Sequence, residues 1–267
     1  MVRWAAAIAV IVATAWVSAA RQPEVLVSAA ASLADVMDEV ARAYEQRTGG
    51  AVAVNTGASN TLARQINAGA RVDVFISADE AQMNGVRREI VQGTRIDLLS
   101  NQLAIAVAVD RPRTMRTARD LTDPSIKRIA LGDPAAVPAG VYAKRYLQQL
   151  GIWNQISAKV VPSASVRVAL AAVENGAADT AIVYRTDLAA ARRATLALAI
   201  PLAEGPRIVY PAAVLRGGRH RDAAVRFLKW LQEAEASRIF GSAGFVPLSS
   251  LPGGKIPGSR PGPGGGD

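Results

Sequence analysis

The stretch Val54-Asn-Thr-Gly-Ala-Ser-Asn-Thr-Leu-Ala-Arg-Gln-Ile66 predicts the end of a strand, a turn of small residues and a helix. In the helix, Leu62, Ala63 and Ile66 share one apolar face. Ser59 stands where a helix N-cap is expected, and the amide N–H groups of a first helical turn have no partner inside the helix. A strand that runs through small residues into a helix N-terminus is therefore a candidate anion site.

The same succession of strand, small-residue turn and helix recurs, twice in each half of the chain. Four residues lie at or just inside the predicted helix starts: Ser32, Ser59, Ala139 and Val166. Such repeated units predict an α/β fold with mostly parallel sheets flanked by helices, and residues 98–109 are predicted to form one long apolar strand. Because each helix N-terminus carries about half a positive charge, four of them facing one cleft would bind a dianion without a lysine or arginine.

A cradle of N–H and O–H donors also selects the protonation state of its ligand. A fully deprotonated oxyanion offers acceptors alone, whereas a protonated oxyanion needs an acceptor for its own O–H group. Burying that group without a partner costs about 1–3 kcal/mol, which is tenfold or more in affinity. Rigid backbone donors would also separate tetrahedral dianions by size, because they cannot close onto a smaller ion.

The composition narrows the class of protein. The chain has 267 residues, half of them apolar, no cysteine and a formal net charge of +9. This length is enough for one large domain or two smaller ones, and the absence of cysteine excludes disulfides, thiolate metal sites and cysteine nucleophiles. The arginines are spread over many segments with few aromatic residues between them, so we expect no nucleic-acid partner.

Both ends of the chain are predicted to lie outside the fold. Residues 1–20 are typical of a cleaved signal peptide, with a retained membrane anchor as the alternative, so the mature chain is expected outside the cytoplasmic membrane. No later stretch is long and apolar enough to predict a transmembrane helix. Residues 252–267 are rich in glycine and proline and are expected to be disordered.

The small-residue turns resemble, in order, those of one known family. The matching segments are residues 29–33, 57–66, 69–79, 132–144, 166–167 and 182–184. Together they resemble the ModA family, the periplasmic molybdate-binding proteins of ABC importers. The resemblance implies a type II periplasmic binding protein, with two lobes joined by a hinge, that is located in the periplasm and has a membrane ABC permease as its partner.

The expected organisation follows from this resemblance. Lobe 1 is predicted to contain residues 21–99 and 206–251, and lobe 2 to contain residues 100–205. The hinge is expected near the two crossings between the lobes, at residues 98–103 and 205–210. The protein is expected to be a monomer that binds no cofactor other than its ligand.

The resemblance also implies the residues that contact molybdate or tungstate. Ser32 and Ser59 would each give a hydroxyl and an amide N–H, Ala139 and Val166 would give amide N–H groups, and Tyr184 would give its phenol O–H. Taken singly, these residues have plainer structural explanations. The serines would be helix caps, the alanine a turn residue, the valine a core residue, and the tyrosine a strand residue with one solvated end.

Two other functions remain open on the sequence. A receptor for another tetrahedral oxyanion, such as sulfate, would use the same donors. An exported serine hydrolase would pair His220, the single histidine, with a serine and an aspartate, but no Gly-x-Ser-x-Gly elbow accompanies it. Asp79 and Asp133 are interpreted as capping or loop residues, because a carboxylate beside a dianion would repel it.

Overall fold

The computed structural model describes residues 24–250, which form two β-sheets flanked by helices. The expected α/β fold is therefore confirmed. Residues 1–20 and 252–267, predicted as a signal peptide and a disordered tail, lie outside the described residues. Between residues 24 and 250, no helix combines the length and apolar character that crossing a membrane requires.

The described residues form eleven strands and eight α-helices. The strands are β1 Val25–Ala30, β2 Val52–Gly57, β3 Val74–Ile76, β4 Ile96–Ser100, β5 Leu103–Ala108, β6 Ile129–Gly132, β7 Val160–Ser163, β8 Thr180–Tyr184, β9 Ala194–Ala199, β10 Tyr210–Val214 and β11 Val246–Pro247. The α-helices are α1 Ala34–Thr48, α2 Ser59–Asn67, α3 Glu80–Gly85, α4 Pro138–Gln149, α5 Trp153–Ile156, α6 Val166–Glu174, α7 Arg221–Trp230 and α8 Ala234–Ser242. Short 3-10 turns complete the set at Ala31–Leu33, Ala118–Thr122, Ser157–Lys159, Arg185–Ala190 and Leu248–Ser250.

The two sheets have related arrangements. The first has the spatial order β11-β4-β10-β3-β1-β2, and the second has the order β7-β6-β8-β5-β9. In the first sheet β1 lies parallel between β2 and β3, and in the second β6 lies parallel between β7 and β8. Each sheet therefore has a core of three parallel strands whose carboxyl ends lie at one edge.

The expectation of mostly parallel sheets was wrong, because both sheets are mixed. β10 pairs antiparallel with β3 and β4, β11 with β4, and β5 with β8 and β9. A parallel neighbour requires a long crossover connection, usually a helix. The chain crosses between the sheets at residues 101–102 and returns at residues 200–209, each time without a helix. In each sheet, the strand that leads into one crossing therefore pairs antiparallel with the strand that comes out of the other.

The predicted single strand over residues 98–109 was also wrong. It is interrupted at Asn101 and Gln102, and its two parts, β4 and β5, belong to different sheets. The Asn101 side chain accepts a hydrogen bond from the amide of Gln102 at 2.8 Å, which stabilises the interruption. Both crossings overlap the predicted hinge segments, while the hinge itself and the lobe boundaries stay predictions.

Residues from both ends of the described chain share one core beside the first sheet. Helix α1 buries an apolar face, which includes Met37 and Tyr44. The Tyr44 ring meets the rings of Phe227 and Trp230 on α7 at centroid distances of 5.0 and 5.2 Å. The C-terminal helices are thereby attached to the sheet that contains the N-terminal strand.

Helix α4 begins in close contact with the end of β6. A Cβ atom on Gly140 would overlap the carbonyl oxygen of Gly132, so only glycine fits at this position. The contact lies between two backbone segments, which cannot move aside as a flexible side chain does. It fixes the first turn of α4 beside the carboxyl end of a parallel strand.

We predict that Gly140→Ala lowers the free energy of unfolding by about 1–3 kcal/mol, the usual penalty for overpacking. Gly241→Ala on α8 is the matched control, because no atom lies within 4 Å of its added Cβ. That control is expected to be neutral or stabilising by up to about 1 kcal/mol. Urea denaturation measures both changes, and an unchanged midpoint for Gly140→Ala would contradict the close contact.

Candidate functional site

A small pocket lies between the two sheets, at the carboxyl ends of their parallel strands. Its lining consists of Ala30, Ala31, Ser32, Ala58, Ser59, Ala78, Val137, Pro138, Ala139, Ser165, Val166 and Tyr184. These residues end or follow β1, β2, β3, β6, β7 and β8. The carboxyl edge of parallel strands is where open α/β sheets bind ligands.

All five predicted contact residues line this one pocket. Its empty volume, which includes space open to solvent, is about 220 Å³. Among these described lining residues there is no lysine, arginine, aspartate or glutamate. The polar groups that remain are hydroxyls and backbone amides, so the pocket suits a small ligand held by neutral donors.

Ser59 contributes a hydroxyl whose oxygen already accepts a hydrogen bond from the protein. The expectation that it caps α2 was wrong: Ala58 is the N-cap, and Ser59 is the first helical residue. Its Oγ instead accepts a hydrogen bond from the amide of Ala78 at 3.0 Å. The hydroxyl hydrogen of this buried side chain is consequently available to a ligand.

Ser32 also lines the pocket, from the turn that follows β1. It is buried in the 3-10 turn Ala31–Leu33, directly before α1, so the expected position near a helix start is confirmed. Its Oγ lies 2.9 Å from the phenol oxygen of Tyr210, which sequence reasoning did not include in the site. The first sheet thus supplies two serine hydroxyls to the pocket.

The second sheet supplies two helix starts. Ala139 is the second residue of α4, which begins at Pro138, so its expected position at a helix start is confirmed. Val166 is the first residue of α6, and Ser165 caps this helix by accepting the amide of Val168 at 3.2 Å. Amide N–H groups in these first turns have no intrahelical partner and carry the positive end of the helix dipole.

Tyr184 ends β8 and closes the pocket from the second sheet. Its side chain is 1% exposed, and its hydroxyl has no hydrogen-bond partner within the described residues. Burial raises the pKa of the phenol well above its usual value, so the group stays protonated and can donate. An unpaired buried O–H beside the starts of helices indicates a place for a hydrogen-bond acceptor.

Charged side chains lie just behind the pocket and were missed by sequence reasoning. Asp187 is fully buried and accepts the amide of Tyr184 at 3.0 Å. Its other oxygen lies 3.0 Å from Nε of Arg167, which also pairs with Asp35 at the start of α1. Burial raises the pKa of Asp187 to about 7, against the attraction of Arg167. Arg167 follows Val166 directly, and this adjacency to a predicted contact was the available signal.

The residues of the hydrolase alternative do not assemble at this pocket. His220 is half-exposed, and its Nδ1 lies 3.7 Å from an oxygen of Asp73, outside the lining. Asp79 caps α3 by accepting the amide of Gln82 at 2.8 Å, and Asp133 accepts the amide of Ala135 at 2.9 Å. The capping and loop assignments are confirmed. Within residues 24–250, no three histidine, aspartate or glutamate side chains gather as a metal site.

Known proteins resemble this chain over nearly all of its described length. The model of a family described as bacterial extracellular solute-binding protein matches residues 25–246. The molybdate-binding protein ModA of Escherichia coli is 37% identical over 234 residues, which are 85% of this chain and 90% of that protein. The molybdate-binding protein ModA of Haemophilus influenzae is 32% identical over 243 residues, covering 89% and 95% of the two chains.

A solved structure agrees with the fold. The periplasmic molybdate-binding protein of Azotobacter vinelandii matches with a TM-score of 0.75 at 24% identity, covering 85% of this chain and 99% of that chain. At this identity the match supports the two-lobed architecture, and the family follows from the sequence relatives. The chain belongs to the bacterial extracellular solute-binding proteins and, within them, to the ModA family.

Proposed function

We propose that this protein captures molybdate, and also tungstate, in the periplasm and delivers it to a membrane ABC permease. Its relatives in Escherichia coli and Haemophilus influenzae are named molybdate-binding proteins. A member of a solute-binding family is a transport component rather than an enzyme. We further propose that it acts as a monomer, with the oxyanion as its only bound group.

The observation that carries the proposal is the buried, unpaired hydroxyl of Tyr184. Leaving such a group without a partner costs about 1–3 kcal/mol, so a structure that retains it gains from a ligand that accepts its hydrogen bond. The other polar groups of the pocket are also donors. An anion with acceptors in every direction is the ligand class that satisfies all of them.

The proposed contacts come from both sheets. Ser32 and Ser59 would donate their hydroxyl and amide hydrogens, Ala139 and Val166 their amide hydrogens, and Tyr184 its phenol hydrogen. These donors suit a tetrahedral dianion without protons. Side-chain cations are not needed, because the helix starts already supply partial positive charge at the ion.

We propose that binding closes a cleft between two lobes. Lobe 1 would comprise residues 21–99 and 206–251, lobe 2 residues 100–205, and the hinge residues 98–103 and 205–210. A ligand shifts such an equilibrium only through contacts that differ between the open and closed states. An ion held from both sheets has such contacts, because its donors from the two sides meet only when the cleft is shut.

Isothermal titration calorimetry with molybdate, tungstate, sulfate and phosphate tests the proposed ligand class. We expect the two larger metal oxyanions to bind most tightly and hydrogen phosphate to bind at least about tenfold more weakly, because its O–H finds no ready acceptor. Sulfate binding as tightly as molybdate would contradict the size argument and favour a general oxyanion receptor.

We predict that Ser59→Ala weakens molybdate binding by about 1.5–3 kcal/mol, the scale of a hydrogen bond to a charged group. Ser28→Ala is the matched control, since Ser28 is a buried serine on β1 outside the pocket lining. Its affinity is expected to stay unchanged. Calorimetry measures both variants, and an unaltered affinity for Ser59→Ala would remove this hydroxyl from the site.

Tyr184→Phe is expected to change affinity and stability in opposite directions. It removes a donor to the ion, so molybdate binding should weaken at least about tenfold. It also removes an unpaired buried hydroxyl, so the ligand-free protein should unfold at the same or a higher urea concentration. Tyr44→Phe, in the α1 core, should leave affinity unchanged. A large loss of stability without ligand would contradict the unpaired state of the Tyr184 hydroxyl.

A further inference from the structure

Tyr210 contacts the candidate site through a hydrogen bond to Ser32 and through its ring, which packs against that of Tyr184. It begins β10, is fully buried and does not line the pocket. Its phenol oxygen lies 2.9 Å from Oγ of Ser32 and 3.2 Å from Nδ2 of Asn101. A phenol and a serine hydroxyl can each donate or accept, so the direction of the bond between them depends on the remaining partners.

The side-chain amide of Asn101 determines the direction of its own hydrogen bond with Tyr210. Its Oδ1 accepts the backbone amide of Gln102 at 2.8 Å, which identifies the oxygen and nitrogen of the side chain. Its Nδ2 donates to Oγ1 of Thr186 at 2.8 Å and to the phenol oxygen of Tyr210. Tyr210 is therefore an acceptor toward Asn101.

The direction of the hydrogen bond between Tyr210 and Ser32 follows because the phenol hydrogen also needs a partner. Burial raises the pKa of Tyr210, so the phenol keeps its hydrogen. Within the described residues, Ser32 Oγ is the only other hydrogen-bond partner of this phenol. If Ser32 donated instead, the buried phenol O–H would stay unpaired, at a cost of about 1–3 kcal/mol. In the arrangement that gives every hydrogen a partner, Asn101 donates to Tyr210 and Tyr210 donates to Ser32.

We propose that Tyr210 is a positioning residue for anion binding, which donates to Ser32 and thereby directs the Ser32 hydroxyl hydrogen toward the pocket. This inference rests on the proposed function. The opposite direction would present only lone pairs of Ser32 to a bound anion, which would repel it. Ala78 has the same effect on Ser59, since its amide N–H occupies the acceptor side of that hydroxyl.

The Tyr210 ring can be kept while its hydroxyl is removed. The ring packs against those of Tyr184 and Phe245 at centroid distances of 5.8 and 5.7 Å. Tyr210→Phe preserves these aromatic contacts. A change in anion affinity in this variant can then be attributed to loss of the hydroxyl. Whether the hydroxyl acts through Ser32 is a separate question, which is answered by removing the Ser32 hydroxyl as well.

A double-mutant cycle on molybdate affinity tests this dependence. Calorimetry is performed on Tyr210→Phe in three backgrounds: wild type, Ser32→Ala and Ser59→Ala. We expect a loss of about tenfold in the wild-type background, less than twofold with Ser32→Ala, and again about tenfold with Ser59→Ala. Tyr44→Phe, a phenol deletion in the α1 core, should change affinity less than twofold.

Each outcome separates this inference from the proposed function. Equal losses in all three backgrounds, or no loss in wild type, would overturn the positioning role while leaving molybdate binding intact. A wild-type protein that does not bind molybdate would overturn the proposed function itself. If Tyr210→Phe does not fold, Asn101→Ala is measured instead, because it removes the N–H that orients the phenol. Its effect is again expected to disappear with Ser32→Ala.

Discussion

The structure of this pocket depends on the amide N–H groups at the starts of buried chain segments, because each of these groups needs a hydrogen-bond acceptor. The first turn of a helix cannot satisfy its own amides, and burial away from water is tolerated only when another group accepts from them. Here the starts of α2, α4 and α6, with the 3-10 turn before α1, meet at the carboxyl edges of both sheets. Because the backbone supplies these donors, alanine and valine can stand at the proposed contact positions as well as polar residues would.

The charged residues support this backbone from behind without entering the pocket. Asp187 holds the amide of Tyr184, and Arg167 joins Asp187 to Asp35 on the other side of the cleft. An ion pair in contact with the ligand would have to lose its own hydration during binding, which is costly. One step away, the same charges can hold the donors in place and leave the pocket itself neutral.

The sequence predicted the parts of the site that are local and missed those that depend on distant partners. Small residues followed by an apolar helical face were sufficient to locate Ser32, Ser59 and Val166 at segment starts. The precise role of Ser59 was wrong because its oxygen bonds to Ala78, nineteen residues away. The pairing of Ser32 with Tyr210 spans 178 residues, and no local pattern reports such a contact. Strand direction was misjudged for a related reason: it depends on how the chain passes between the sheets.

Enclosure of the pocket by both sheets has a consequence for how long an occupant stays. An ion that touches walls on two sides has no exit while those walls remain together, so its residence time is governed by how often they separate. Release can then be triggered by mechanical separation of the two halves, without any competitor for the donors. A membrane partner that binds each half and pulls them apart would empty the protein, at a cost in free energy that rises with how tightly the closed form holds its cargo.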